Sequence, residues 1–273
     1  MFAVFALLAS LIYGVADFYG GVAGRRMATI AVVFWSQLAG LALGVATSLI
    51  FSANALKATD LMWGAIGGIV GTGGIFALYQ GLARGRMSVV SPLAALLSAL
   101  IPLGIGLGMG ERPLPLEWLG VLLALPAIWL VASGMGGGDS SGGVAYGVMA
   151  GLGFGLFFAA LAQTGEGAGF WPLVASRMAS VVLMAIGMVV RRVALPPAGT
   201  RVLVALVGIG DIAANVFLLL AFRSGLVTLV AVLASLYPAI TVLLAVLILK
   251  EPIARRQRLG LGLAMAAVVL IAI

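Results

Sequence analysis

The chain has no cysteine and no histidine among its 273 residues. That excludes a disulfide framework, thiolate or imidazole metal sites, cysteine nucleophiles and any histidine proton relay. Charge is scarce as well, at 8% of residues, with 8 acids against 15 Lys and Arg. A soluble domain carries about a quarter charged residues. With 63% hydrophobic residues and a mean hydropathy of +1.26, the class that remains is a polytopic membrane protein embedded in the lipid bilayer.

What is there is a series of apolar stretches, each of roughly 18 to 24 residues and so long enough to cross the bilayer core as a helix. They run near 2–22, 28–51, 61–83, 88–109 and 116–134, then 143–163, 169–190, 202–222, 227–249 and 257–273. The first reads as a permanent span rather than a signal peptide, because no basic residue precedes it and Asp17 interrupts it. The Gly/Ser-rich segment 135–142 reads as a linker between an N-terminal unit, 1–134, and a C-terminal unit, 143–273. The fold class expected is all-α, with ten transmembrane helices in two repeats of five.

Laying Glu111 on Glu251 and carrying the same shift outward brings Gly68 onto Gly208, Gly85 onto Gly225 and Gly120 onto Gly260. Five crossings per repeat is an odd number, so the second repeat enters from the opposite side and the two are inverted. Inverted repeats are a recurring basis of alternating access. The connections after spans 1, 3, 5, 7 and 9 hold 11 Lys and Arg against 3 in the others, which places them in the cytoplasm and both termini outside the cell (inner) membrane. The basic excess of +7 thus reads as a topology signal rather than a nucleic-acid footprint.

The stretch "ALYQGLARGRMSVVSPLAALLSALIPLGIGLGMGERPLPLEWLG" at 77–120 and its echo "LLAFRSGLVTLVAVLASLYPAITVLLAVLILKEPIARRQRLG" at 219–260 resemble the repeat of the drug/metabolite transporter superfamily, EamA branch. The shared elements are a small turn residue, a proline in the next span and an acid at its end: Gly85, Pro92 and Gly110-Glu111, then Gly225, Pro238 and Lys250-Glu251. Ser98 lies where Pro238 would repeat. The resemblance implies a ten-helix carrier of small molecules whose cavity is lined by helices 1, 3 and 4 and by 6, 8 and 9.

A charge at a helix centre costs roughly 2.5 to 3.5 kcal/mol on the insertion scale, so each asks for a partner or a wet cavity. Asp211 sits about 14 Å into span 8, close to the midplane, with Asn215 one turn on. It is the first candidate for a cavity or coupling carboxylate. Asp17, about 22 Å into span 1, reads either as an interfacial acid paired with Arg25 or Arg26, or as a coupling carboxylate at the cavity edge beside Tyr13. Arg177 aligns with Gln37 under the repeat shift, which suggests one polar packing position used in both halves, with an acid as the arginine's partner.

Gln80, Gln163 and Tyr79 are further candidates for the cavity, with Phe76, Phe217 and Trp35 as apolar lining or packing. Glu111 and Glu251 read as fold determinants at the interface. Gly64, Gly68 and Gly71 belong to small-residue spacing that lets helices approach closely. Pro92, Pro102 and Pro238 can kink or break their helices.

Three other classes compete with a secondary transporter. An intramembrane enzyme needs clustered acids or metal ligands, and the acids here are scattered. A receptor needs an effector domain, and a channel a charged ring or filter sequence; neither is seen. No GxxxxGK[ST] motif for ATP hydrolysis occurs. The expectation is therefore a carrier without a cofactor, exporting a small neutral or zwitterionic metabolite such as an amino acid, with protons as a coupling ion through Asp211 or Asp17. Lipophilic cations and uncoupled facilitation are the alternatives. A monomer and a homodimer are both compatible with the sequence.

Overall fold

The structure, a computed structural model, describes residues 1–51, 53–83, 87–132, 141–250 and 254–272. Glu251, Gly85 and most of the linker, 133–140, lie outside the described residues. The first half contains α1 (Phe2–Gly24), α2 (Thr29–Ile50), α3 (Ala58–Ala83), α4 (Met87–Gly108) and α5 (Pro115–Ala132). The second contains α6 (Ser141–Ala162), α7 (Trp171–Arg191), α8 (Ala198–Ser224), α9 (Val227–Ala234), α10 (Tyr237–Leu249) and α11 (Arg255–Ala272). No strand occurs among the described residues, as a lipid environment demands of anything but a closed barrel.

Of the ten expected crossings, six helices are long and apolar enough to span a bilayer by themselves: α1, α2, α3, α6, α7 and α8. Described parts of α4, α5 and the α9–α10 pair form shorter apolar runs. The ninth stretch departs from a single helix for a local reason. Pro238 has no N–H to donate to the carbonyl of Ala234, and α9 ends at Ala234. In α4 the equivalent position is Ser98, and the helix runs on without a break, through Pro92 and Pro102 as well. Ser98 Oγ meets Ser235 Oγ, in the interruption of the other half, at 3.0 Å.

Packing joins the halves more than it joins neighbours within one half. Helix α1 lies against α8 and the α9–α10 pair, and α6 lies correspondingly against α3 and α4. Helix α2 packs on α7 and α8, α7 on α2 and α3, and α5 on α11. Two contacts show the symmetry directly. A Cβ added at Gly68 would stand 2.2 Å from the Ser176 carbonyl oxygen, and one at Gly208 would stand 1.9 Å from that of Ser36. Both members of one pair map onto the other under the same shift, so a two-fold relation exchanges the halves. Lipid tails give apolar helices no hydrophobic reason to associate, and such backbone approaches supply the van der Waals contact instead. Gly64 serves the same purpose at Pro172, whose carbonyl oxygen would lie 2.2 Å from an added Cβ.

Polar side chains secure the connections at one end of the bundle. Gly110, at a φ of 94°, ends α4 and turns the chain. The following residue, Glu111, accepts hydrogen bonds from Val227 N at 2.7 Å and Thr228 N at 2.9 Å. A carboxylate thus occupies the N-terminus of α9, where unpaired N–H groups and the helix dipole favour negative charge. In the connections that precede α3 and α7, Asp60 accepts from Gly165 N at 2.8 Å, and Ala55 N donates to Gly167 O at 2.9 Å. Arg223 Nη2 donates to Gly169 O at 2.6 Å.

Candidate functional site

The central cavity forms where α1, α2, α3, α6, α7, α8 and α10 converge, and encloses about 560 Å³ of empty space, mouth included. Its chemistry is built around Arg177 of α7. One guanidinium nitrogen, Nη1, lies 2.6 Å from Asp211 Oδ2 and also donates to Gln37 Oε1. Arg177 is 5% and Gln37 3% exposed, so this charge is balanced inside the protein and not by water. Arg177 and Gln37 stand 140 residues apart and are repeat equivalents. Two equivalent residues can touch only close to the two-fold axis, so the arginine marks the centre of the molecule.

Asn215, one turn after Asp211, is hydrogen-bonded through both its amide nitrogen and its amide oxygen. Its Nδ2 donates to the Asp211 backbone carbonyl at 2.8 Å, and its Oδ1 accepts from the Tyr13 hydroxyl at 2.6 Å. That bond ties α8 to α1 and closes one side of the cavity. On the opposite side Gly71 lacks a side chain where Phe157 packs, with an added Cβ only 3.3 Å from that ring. Phe154 and Phe158 extend the aromatic surface.

Three polar groups around the cavity remain without a partner among the described residues. Asp17 lines it with no hydrogen bond or ion pair, facing the cavity and not Arg25 or Arg26. The Tyr237 hydroxyl and Arg177 Nε are buried and equally unpaired. The structure therefore brings together Asp211, Asn215, Asp17 and Tyr13 of the sequence candidates, and adds Arg177 and Gln37, which the sequence suggested as packing residues.

Other candidates fall elsewhere. Gln80 lines a separate cavity with Phe76, Thr29 and Arg191. Gln163 is exposed after α6, with its amide 3.6 Å from the Met109 sulfur. Tyr79 is buried against α1, where Gly20 leaves room for its ring, and does not line the central cavity. Phe217 stacks on Phe5, and Trp35 donates to the Arg201 carbonyl at 3.1 Å. The sequence reading missed Tyr237 and the phenylalanines of α6. The repeat shift carried a signal for one of them, since it places Phe157 opposite Asp17.

No cluster of three or more potential metal-ligating carboxylates occurs among the described residues. What the arrangement offers is a mostly apolar pocket that contains a few charged and hydrogen-bonding groups, between helices that belong to opposite halves.

Comparison with curated proteins gave no match. A solved crystal structure of a protein aligns with a TM-score of 0.74, covering 97% of this chain and 98% of its own, at 20% identity, which speaks for the fold alone. The model of the EamA-like transporter family matches residues 1–133 and again 141–273. With both halves matched, the chain belongs to the EamA-like transporter family and is an integral membrane protein of the drug/metabolite transporter type.

Proposed function

We propose that the chain is a secondary active transporter that exports a small neutral or zwitterionic metabolite, such as an amino acid, by alternating access, with protons as the coupling ion. The observation that carries this reading is the central cavity, which contains two carboxylates and one guanidinium and is walled by helices of both repeats. Exchanging the conformations of two inverted halves would present such a pocket to one side and then the other. A single arginine already balanced by Asp211 is a poor receptor for a highly charged substrate such as a sugar phosphate. In this reading the odd-numbered connections face the cytoplasm and the termini the outside, supported by the excess of Lys and Arg in those connections.

A second reading, export of lipophilic cations, draws support from the aromatic surface opposite Asp17. Proteoliposomes loaded with labelled neutral amino acids or, separately, with a lipophilic cation would decide. Saturable efflux of amino acids that accelerates under a pH gradient is the expected result. Efflux of the cation alone would favour the second reading, efflux indifferent to the gradient a facilitator, and no movement of any load would count against a carrier.

A further inference from the structure

A second cavity lies where α2 begins and where α3 and α7 end. It encloses about 770 Å³ of empty space, mouth included, and three polar side chains line it: Thr29, Gln80 and Arg191. Thr29 is the first residue of α2 and Arg191 the last of α7, while Gln80 stands within the last turn of α3. All three helices are long and apolar enough to cross a bilayer. Groups in their terminal turns therefore stand at the level of the lipid headgroups and not in the hydrocarbon core.

None of the three side chains makes a hydrogen bond or ion pair among the described residues. Thr29 is only 5% exposed, so its hydroxyl is withheld from bulk water while it lines the cavity. The N-terminus of α2 has no side-chain cap, which leaves its first N–H groups directed out of the helix at the same end. Arg191 is not occupied in closing its own helix. Arg192 takes the left-handed conformation, at a φ of 51°, and Val193 N returns to Met188 O at 3.0 Å, so the backbone caps α7. The surroundings add positive charge. Arg25, Arg26 and Arg192 flank the cavity in sequence, and no acid occurs between residues 18 and 59 or between 167 and 210.

The fold itself does not require this set of residues. Under the repeat shift Thr29, Gln80 and Arg191 become Gly169, Leu220 and Phe51. At that end the corner is filled by the protein. The rings of Phe51 and Phe170 meet edge to face with centroids 5.8 Å apart, and a Cβ added at Gly169 would lie 3.3 Å from the Phe51 carbonyl oxygen. One half thus closes the corner with its own side chains, and the other leaves it open and lines it with hydrogen-bond donors.

We propose that this cavity binds the headgroup phosphate of an anionic phospholipid. The guanidinium of Arg191, the Thr29 hydroxyl and the N-terminal N–H groups of α2 supply the donors, with the Gln80 amide beside them. An uncapped helix N-terminus and an arginine fork both match a phosphate, and basic pockets between membrane helices are a recurring headgroup site. The remaining lining selects a lipid over a free anion. Ile30, Phe76, Met184 and Val193 are apolar and offer a small ion nothing, but they can receive the start of an acyl chain. Because α2 and α3 belong to the first half and α7 to the second, a lipid held here bridges the two repeats. This inference stands apart from whatever the central cavity carries.

The test is native mass spectrometry of the delipidated, detergent-solubilised full chain. The probes are dioctanoyl phosphatidylglycerol, dioctanoyl phosphatidylcholine and inorganic phosphate, with thermal melts run in parallel. One phosphatidylglycerol should bind saturably, about tenfold or more tightly than phosphatidylcholine, and should raise the melting temperature. Arg191→Gln and Thr29→Val should each weaken that binding about tenfold and remove the thermal shift. Thr29→Ser, which keeps the hydroxyl, and Arg192→Gln, which removes the same charge one residue outside the cavity lining, should bind as the wild type does. If Thr29→Val melts lower even without lipid, the comparison of Arg191→Gln with Arg192→Gln decides.

Equal weakening by those two arginine variants would overturn the proposal in favour of a diffuse basic surface. So would the absence of saturable phosphatidylglycerol binding, or equal affinity for phosphatidylcholine. Displacement of the lipid by an equal concentration of inorganic phosphate would show that the site takes the free ion, and the lipid assignment would fall.

Discussion

A buried ion pair and an unpaired acid share one small cavity, and their energetics differ in kind. Breaking a buried pair by removing one partner typically costs about 3 to 5 kcal/mol, because the other charge is left stranded. Arg177→Ala strands Asp211, and Asp211→Ala strands a guanidinium that is 5% exposed. Each single variant is therefore expected to be strongly destabilised, and Arg177→Ala/Asp211→Ala to be far less destabilised than the sum of the two. Thermal melts of the four proteins in one detergent, read as a double-mutant cycle, check this; additive losses would mean that the pair is not coupled. Asp211 was legible in the sequence because its depth in the span is a property of residue count. The direction a side chain takes around its helix axis is not. That is why Asp17 read equally well as an interfacial acid, and why Gln80 and Gln163 read as cavity residues although they lie elsewhere.

At the scale of the helix, the crossings are set by glycines used as contact surfaces. Gly68 and Gly208 each meet the backbone of a helix from the other half, at Ser176 and Ser36. A carbonyl oxygen cannot move aside as the tip of a long side chain can. Gly68→Ala and Gly208→Ala are each expected to cost about 1 to 3 kcal/mol through forced separation of their helices. Because the two sites are repeat equivalents, the costs should be similar, whereas Gly104→Ala, with nothing within 4 Å of the added Cβ, should be close to neutral. Equal melting temperatures for all three variants would remove close backbone packing as the reason for these glycines.

Most helix limits could be read from the hydropathy pattern, which is dictated by the lipid, and the repeat shift transfers α3 onto α8 and α5 onto α11 almost residue for residue. The break between α9 and α10 could not. Pro92 and Pro102 sit in an uninterrupted α4 while Pro238 coincides with an interruption, so a proline announces a lost hydrogen bond and not the packing that decides what the chain does about it.

On the scale of the whole molecule, the division into two related halves was legible because the shift of 140 residues is a property of the sequence alone, and the family model matches each half separately. The list of partners across the halves was not, since it depends on how the repeats dock. That docking joins the two halves through connections as well as helices. Ala55, before α3, and Gly167, before α7, are linked by a 2.9 Å backbone hydrogen bond, and a Cβ on Gly167 would lie 2.9 Å from that of Ala55. Disulfide-linked Cβ atoms stand about 3.5 to 4.5 Å apart, so a small outward shift of these connecting segments would admit a bridge.

The chain contains no cysteine of its own, so an Ala55→Cys/Gly167→Cys variant carries one possible intramolecular disulfide and no competing thiol. If the halves exchange conformations during transport, this end must part in one of the two states. Oxidation of the double variant in proteoliposomes should then reduce turnover at least tenfold, and a reductant should restore it, with each single-cysteine variant unaffected. Unchanged transport by protein shown on a gel to be fully cross-linked would mean that these connections stay together throughout the cycle, and that the motion, if there is one, lies at the opposite end of the bundle.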